Sequence, residues 1–205
     1  MAEEKVFKRK VTLADVMAHV ENLIGGDRAL TTPKPEVAEI TDWWNLFAYG
    51  PIQPILVDGP FAPHQVIKLG ETAYVVSVLA LNTDLELPGG ITAAHILSDF
   101  ALPYEIKYQT ANLSTWALSE IGGTHTGNLI PGQSWYTDIL EFTPTQEGLY
   151  EMNVLVRLLG AFPPGKATHF GGFAHWIGDL DPEALWPVEM PIWHFELPIK
   201  FMVYA

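Results

Sequence analysis

Two imidazoles six residues apart near the C-terminal end, His169 and His175, are the side chains in this chain whose chemistry is easiest to write down. They lie among Phe170, Phe173 and Trp176 with Gly171-Gly172 between them. Imidazoles inside an aromatic wall suit a ligand pocket, and a neutral imidazole serves as near-neutral acid/base or as metal ligand. The binding set is therefore His169, Phe170, Phe173, His175 and Trp176. His125, in Gly123-Thr124-His125-Thr126, or His194 would complete a three-imidazole metal site. The metal set drawn on this basis is His125, His169 and His175. Spacing argues against it, because six residues match neither a helix face nor a zinc-finger interval. Packing of an aromatic loop accounts for the same residues.

Other constellations are weaker. Asp179, Asp181 and Glu183 alternate oxygen ligands, but Asp181 as N-cap with Pro182 at the first helical position explains them without calcium. The chain has no Gly-x-Ser-x-Gly elbow, phosphate loop, Gly-x-Gly-x-x-Gly or His-Glu-x-x-His. It has no cysteine, which excludes thiolate nucleophiles, disulfides and thiolate-bound metals. The sequence names no cofactor. Two functional classes remain. The first is a non-catalytic binding or assembly protein. The second is an enzyme with its pocket under residues 160–191, where His169 and His175 act as acid/base groups or metal ligands.

The elements that would position these residues are strands. Stretches 65–69, 72–82, 102–110, 113–121, 134–143, 149–159 and 192–204 are rich in β-branched and aromatic residues. Turn signals separate them at Pro88-Gly89-Gly90, Gly122-Gly123, Pro131-Gly132 and Pro144. Pro198 implies a bulge or an edge within the last stretch. Seven strands divided by turns predict a mainly β fold, an immunoglobulin-like Greek-key two-sheet sandwich. The tract 160–191 is too long for a hairpin connection and reads as an insertion before the last strand.

Ahead of the strands, Thr12 as cap and Asp15 in the capping-box position open a helix. Leu13, Val16, Met17, Val20, Leu23 and Ile24 form its apolar stripe, and Gly25-Gly26 ends it. Prolines at 33, 35, 51, 54, 60 and 63 punctuate the following tract, so the aromatic run from Trp43 to Tyr49 reads as a strap over the core. The expected organisation is a basic arm and helix over residues 1–30, a proline-rich strap over 31–63, and the sandwich over 64–205.

One local pattern resembles a known family. In Gln146-Glu147-Gly148-Leu149-Tyr150-Glu151-Met152 a glycine turn precedes a tyrosine two residues before an apolar position. This is similar to the tyrosine corner of immunoglobulin domains, with Met152 where those domains carry a cysteine, and cupredoxin-type sandwiches share a similar stretch. The resemblance implies a hydroxyl tied back to the preceding backbone.

Charge and composition bound the partners. The net charge is −13. Beyond residue 35 only Lys68, Lys107, Arg157, Lys166 and Lys200 stand against nineteen acidic residues. Such a body repels phosphate backbones, which argues against nucleic acid. No run of 18 apolar residues occurs, which argues against a membrane span and for a soluble, cytoplasmic chain. Apolar residues make up 48% and charged residues only 17%, against roughly 25% charged on average. A chain so poor in charge is expected to cover apolar surface by forming a homo-oligomer, and a small-molecule ligand remains compatible with the pocket above.

Overall fold

The computed structural model describes residues 12–18, 43–53, 65–83, 85–159, 170–177 and 198–205, with residues 170 and 175–177 placed by backbone. It is mainly β. The strands are β1 Trp44–Ile52, β2 Val66–Lys68, β3 Ala73–Leu81, β4 Glu86–Leu87, β5 Ile91–Thr92 and β6 Pro103–Asn112. They continue as β7 Ala117–Asn128, β8 Trp135–Phe142, β9 Gly148–Leu158, β10 Phe170–Phe173, β11 His175–Ile177 and β12 Ile199–Tyr204. Residues 13–18 form a helical segment, α1, and Ala93–Asp99 forms α2.

A four-stranded sheet has the order β11-β1-β3-β8, and a six-stranded sheet has the order β2-β12-β9-β6-β7 with β10 also beside β9. β9 shows why they face each other. Tyr150, Met152, Val154, Val156 and Leu158 are buried while the residues between them are not. That period of two turns one face of the strand inward. β6 and β12 follow the same rule with Ile106 and Tyr108, and with Ile199, Phe201 and Val203. These side chains share one core with Leu46, Ala48, Val75, Leu79 and Leu140 of the other sheet. Each large apolar side chain removed from water there contributes about 1.5–3 kcal/mol.

Burial in β3 is continuous from Ala73 to Leu81, because its second face is covered too. Phe47, Tyr49, Tyr74, Val76, Val78 and Ala80 form a second buried cluster on the outer side of the four-stranded sheet, and Val16 of α1 packs into it. The start of α1 carries the reciprocal cap: Thr12 N–H donates to Asp15 Oδ2 at 2.8 Å and Asp15 N–H donates to Thr12 Oγ1 at 3.4 Å. The rest of the stripe expected to 24 lies outside the described residues. Among the described residues no helix is long and apolar enough to cross a membrane.

Three expectations change. The aromatic run from Trp43 is not a strap: Trp44–Ile52 is an inner strand paired with β3 and β11. Pro51 is tolerated because the β1–β3 register shifts between Tyr49 and Ile52, so no ladder N–H is required of it. Gly122-Gly123 is not a turn but lies inside β7. The tract 160–191 is not one loop, for β10 pairs with β9 in one sheet and β11 pairs with β1 in the other. The chain crosses between sheets at Ala174, which is buried and donates its N–H to Val154 O at 2.7 Å. The last strand begins at Ile199, directly after Pro198. A short hairpin, β4–β5, and α2, capped by Thr92, were not legible in the sequence.

Candidate functional site

The polar constellation richest in reactive side chains joins the two sheets along one side of the molecule, where β7 and β8 run as edge strands. His125 points inward from β7, and its Nδ1 lies 2.8 and 2.9 Å from the two oxygens of Asp138 on β8. Tyr108, inward on β6, donates its hydroxyl proton to Asp138 Oδ2 at 2.6 Å and accepts from the Ser77 hydroxyl at 3.0 Å. Ser77 is the register partner of Asp138 on β3. The Tyr108 and His125 rings are tilted against each other at 5.6 Å. The strands place these four residues by parity: alternate positions point inward, and β7, β6, β8 and β3 each contribute one.

Their electrostatics favour structure over turnover. Tyr108 and Ser77 are buried. Burial first, then the adjacent Asp138 carboxylate, pushes the Tyr108 phenol far above its ordinary value, so it stays protonated at neutral pH. A hydrolytic triad needs serine at the imidazole nitrogen that the carboxylate does not hold. Here the serine is bonded to the tyrosine hydroxyl. Asp138, Tyr108, Ser77 and Nδ1 of His125 are bonded to one another, and a polar network of this kind rigidifies its surroundings.

Below this clasp the edge strands separate. Gln109 pairs with Gly122 and Ala111 with Leu118, so Ser119, Glu120 and Ile121 all oppose the single residue Thr110. This is a bulge. Ile121 N–H turns to Ser119 Oγ at 3.1 Å, and Thr110 Oγ1 is buried without a hydrogen-bond partner. Gly122 permits the geometry with φ +149°, and a Cβ there would stand 2.5 Å from Tyr108 O. The separation opens a cleft of about 520 Å³ between β7 and the end of β8. Glu120, Glu141, Asn112 and Gln146 border it, and Ile121, Phe142 and Tyr150 line it as well. Among the described residues no lysine or arginine lines it. Its chemistry therefore disfavours anions.

The residues singled out in the sequence fall in different places. Phe170 and Phe173 belong to β10, and Phe173 is exposed on the outer side of the six-stranded sheet. His175 and Trp176 belong to β11, at the edge of the four-stranded sheet opposite β8. His169 lies outside the described residues. His125 and His175 are not brought together, because three strand spacings, about 14 Å, separate β11 from β8. No group of three or more His, Asp or Glu able to hold a metal ion occurs among the described residues. Sequence reasoning named His125 but missed Asp138, Tyr108 and Ser77. Their only signal was inward parity on separate strands, which becomes readable once the strands are paired.

No protein-family model matches the chain, and no curated protein matches it. Among solved structures it is similar to a β-glucosidase from Listeria innocua, at 13% identity and TM-score 0.34 over 64% of this chain. The chain spans only 16% of that enzyme's length. It is also similar to the CARDB domain of a Pyrococcus furiosus protein, at 14% identity and TM-score 0.33 over 65% of this chain and 87% of that one. A third is an alkylpurine DNA glycosylase from Pseudomonas fluorescens, at 13% identity and TM-score 0.35, covering 93% of this chain and 37% of the other. Likenesses of this size carry no functional argument.

Proposed function

We propose that this chain is a non-catalytic binding or assembly protein on an immunoglobulin-like Greek-key sandwich, acting as a homo-oligomer. The observation that carries the reading is the burial of Tyr108 and Ser77 and their engagement, with Nδ1 of His125, around Asp138. Such a set clasps β7 of one sheet to β8 of the other. The Greek-key assignment rests on the tie at Tyr150, whose hydroxyl donates to Gln146 O at 2.8 Å as in a tyrosine corner. Binding is left to exposed surface and to the cleft beside Glu120 and Glu141.

Elemental analysis of the purified chain tests this against the enzyme reading. The expected result is no stoichiometric metal. Metal at one equivalent, lost when His169 and His175 are both replaced by alanine, would overturn the proposal in favour of a metal-dependent site at 160–191.

A further inference from the structure

Every lysine and arginine among the described residues lies on one surface. Lys68 of β2, Lys200 of β12, Arg157 of β9 and Lys107 of β6 all sit at outward positions of the six-stranded sheet, in strands whose alternate residues fill the core. Three carboxylates share that face: Glu105 of β6, Glu151 of β9 and, by the same alternation, Glu120 of β7. Glu105 accepts from Arg157 Nε at 3.1 Å, and Glu151 stands 3.8 Å from Lys200 Nζ. In a chain of net charge −13, the charges of the described residues come close to balance on this face.

The same face is apolar at one end. Val66, Met202 and Leu149 form a continuous row by register, Val66 opposite Met202 and Met202 opposite Leu149, and each is 45–49% exposed. Tyr204, two residues beyond Met202 on β12, stands beside the row and is 45% exposed. The outer side of the four-stranded sheet differs in both respects, because its apolar cluster is already buried.

We infer that the outer face of the six-stranded sheet docks a second copy of this chain, face to face about a two-fold axis. This rests on the assembly reading above and names its partner and its surface. Three observations select a second copy. Like charge repels copies across the remaining acidic surface, whereas two of these faces meet with little net repulsion. A two-fold contact presents the same patch twice, so each copy's Met202 row meets its counterpart. The area is also sufficient. β2, β12, β9, β6 and β7 are 3, 6, 11, 10 and 12 residues long, giving a face on the order of 650 Å², which counted on both partners lies within the ~1,200–2,000 Å² of a standard interface.

The chain has no cysteine, so Met202→Cys introduces a unique thiol with little disturbance to an exposed position. Mild oxidation is expected to convert this variant to covalent dimer, because two-fold-related residues beside the axis come within disulfide reach. Ile91→Cys, on the distant β4–β5 hairpin, is the control and is expected to stay uncoupled. In sedimentation equilibrium the unmodified chain is expected to be dimeric at about 50 µM and to remain so in about 1 M salt, where charge screening falls to about 3 Å. Met202→Glu with Leu149→Glu is expected to yield a monomer whose circular dichroism is unchanged. A monomeric wild-type chain overturns the inference together with the assembly reading. A dimer that neither cross-links at position 202 nor dissociates on the double substitution overturns this face alone and leaves the assembly reading standing.

Discussion

Replacing Tyr150 by phenylalanine removes one hydroxyl. The ring is buried and stacked on Phe201 at 5.4 Å with an interplanar angle of 7°, and phenylalanine retains both the volume and the stacking. No cavity opens. What is lost is the hydroxyl that donates to Gln146 O at 2.8 Å and so fixes the turn entering β9. A net hydrogen bond contributes about 0.5–1.5 kcal/mol, with a further penalty where the partner stays buried and unpaired. Gln146 is exposed, so water takes over its carbonyl, and Asn112, the hydroxyl's other partner, keeps its bond to Glu147 O, so the further penalty is small. The expected destabilisation is about 1 kcal/mol. For a chain of this length that lowers Tm by about 2–4 °C, and it moves the urea midpoint by about 0.3–1 M at unchanged m. Tyr204→Phe, at a half-exposed position on β12, is the control and is expected to stay within about 0.5 kcal/mol of wild type. A Tyr150→Phe midpoint equal to that of wild type would refute the corner as a stabilising tie and leave Tyr150 as core packing.

Alkali supplies a second test. Burial is the first cause that raises Tyr74, Tyr104, Tyr108, Tyr136 and Tyr150 above the ordinary phenol value of 10.0. Between that value and the raised ones the folded chain binds more protons than the unfolded chain, so stability falls as pH rises. It is expected to be flat in this respect below about pH 9 and to drop beyond about pH 10, measured as urea midpoint against pH. Tyrosine absorbance that titrates fully without unfolding would refute this. Third, replacing residues 166–183 by a Gly/Ser linker removes β10 and β11 and bares the β1 edge. Loss of the cooperative unfolding transition in circular dichroism is expected, and a retained transition would show that these pairings are dispensable.

Strands with one buried face announced themselves in the sequence. β9 alternates apolar and polar residues over most of its length, and such alternation is independent of where the partner strand comes from. β1 was hidden by Pro51, whose ring argues against a strand until a bulge supplies the exception. β10 was hidden by Gly171-Gly172, which reads as loop. Gly172 is small for another reason: a Cβ there would stand 2.8 Å from the Trp44 ring, so the glycine makes room for a tryptophan distant in sequence. The His125 site failed to appear for a related reason. Thirteen residues separate His125 from Asp138, and they meet across two sheets, a relation that no local spacing encodes. The N-terminal cap was legible because Thr12 and Asp15 complete it within one turn.

The two parallel pairings bear on how the chain is made. Phe47 of β1 pairs with His175, and Val66 of β2 with Met202, contacts 128 and 136 residues apart along the chain. Contacts of such separation form late, because the loop they close must be ordered before they repay it. During synthesis from the N-terminus, the outer edge of β1 waits for residue 175 and the edge of β9 waits for β12. An unpaired edge is a template for other chains. The interval between emergence of residue 158 and arrival of residue 199 is therefore when a nascent chain of this protein is most exposed to mispairing, and a slowed ribosome in that interval would lengthen the exposure.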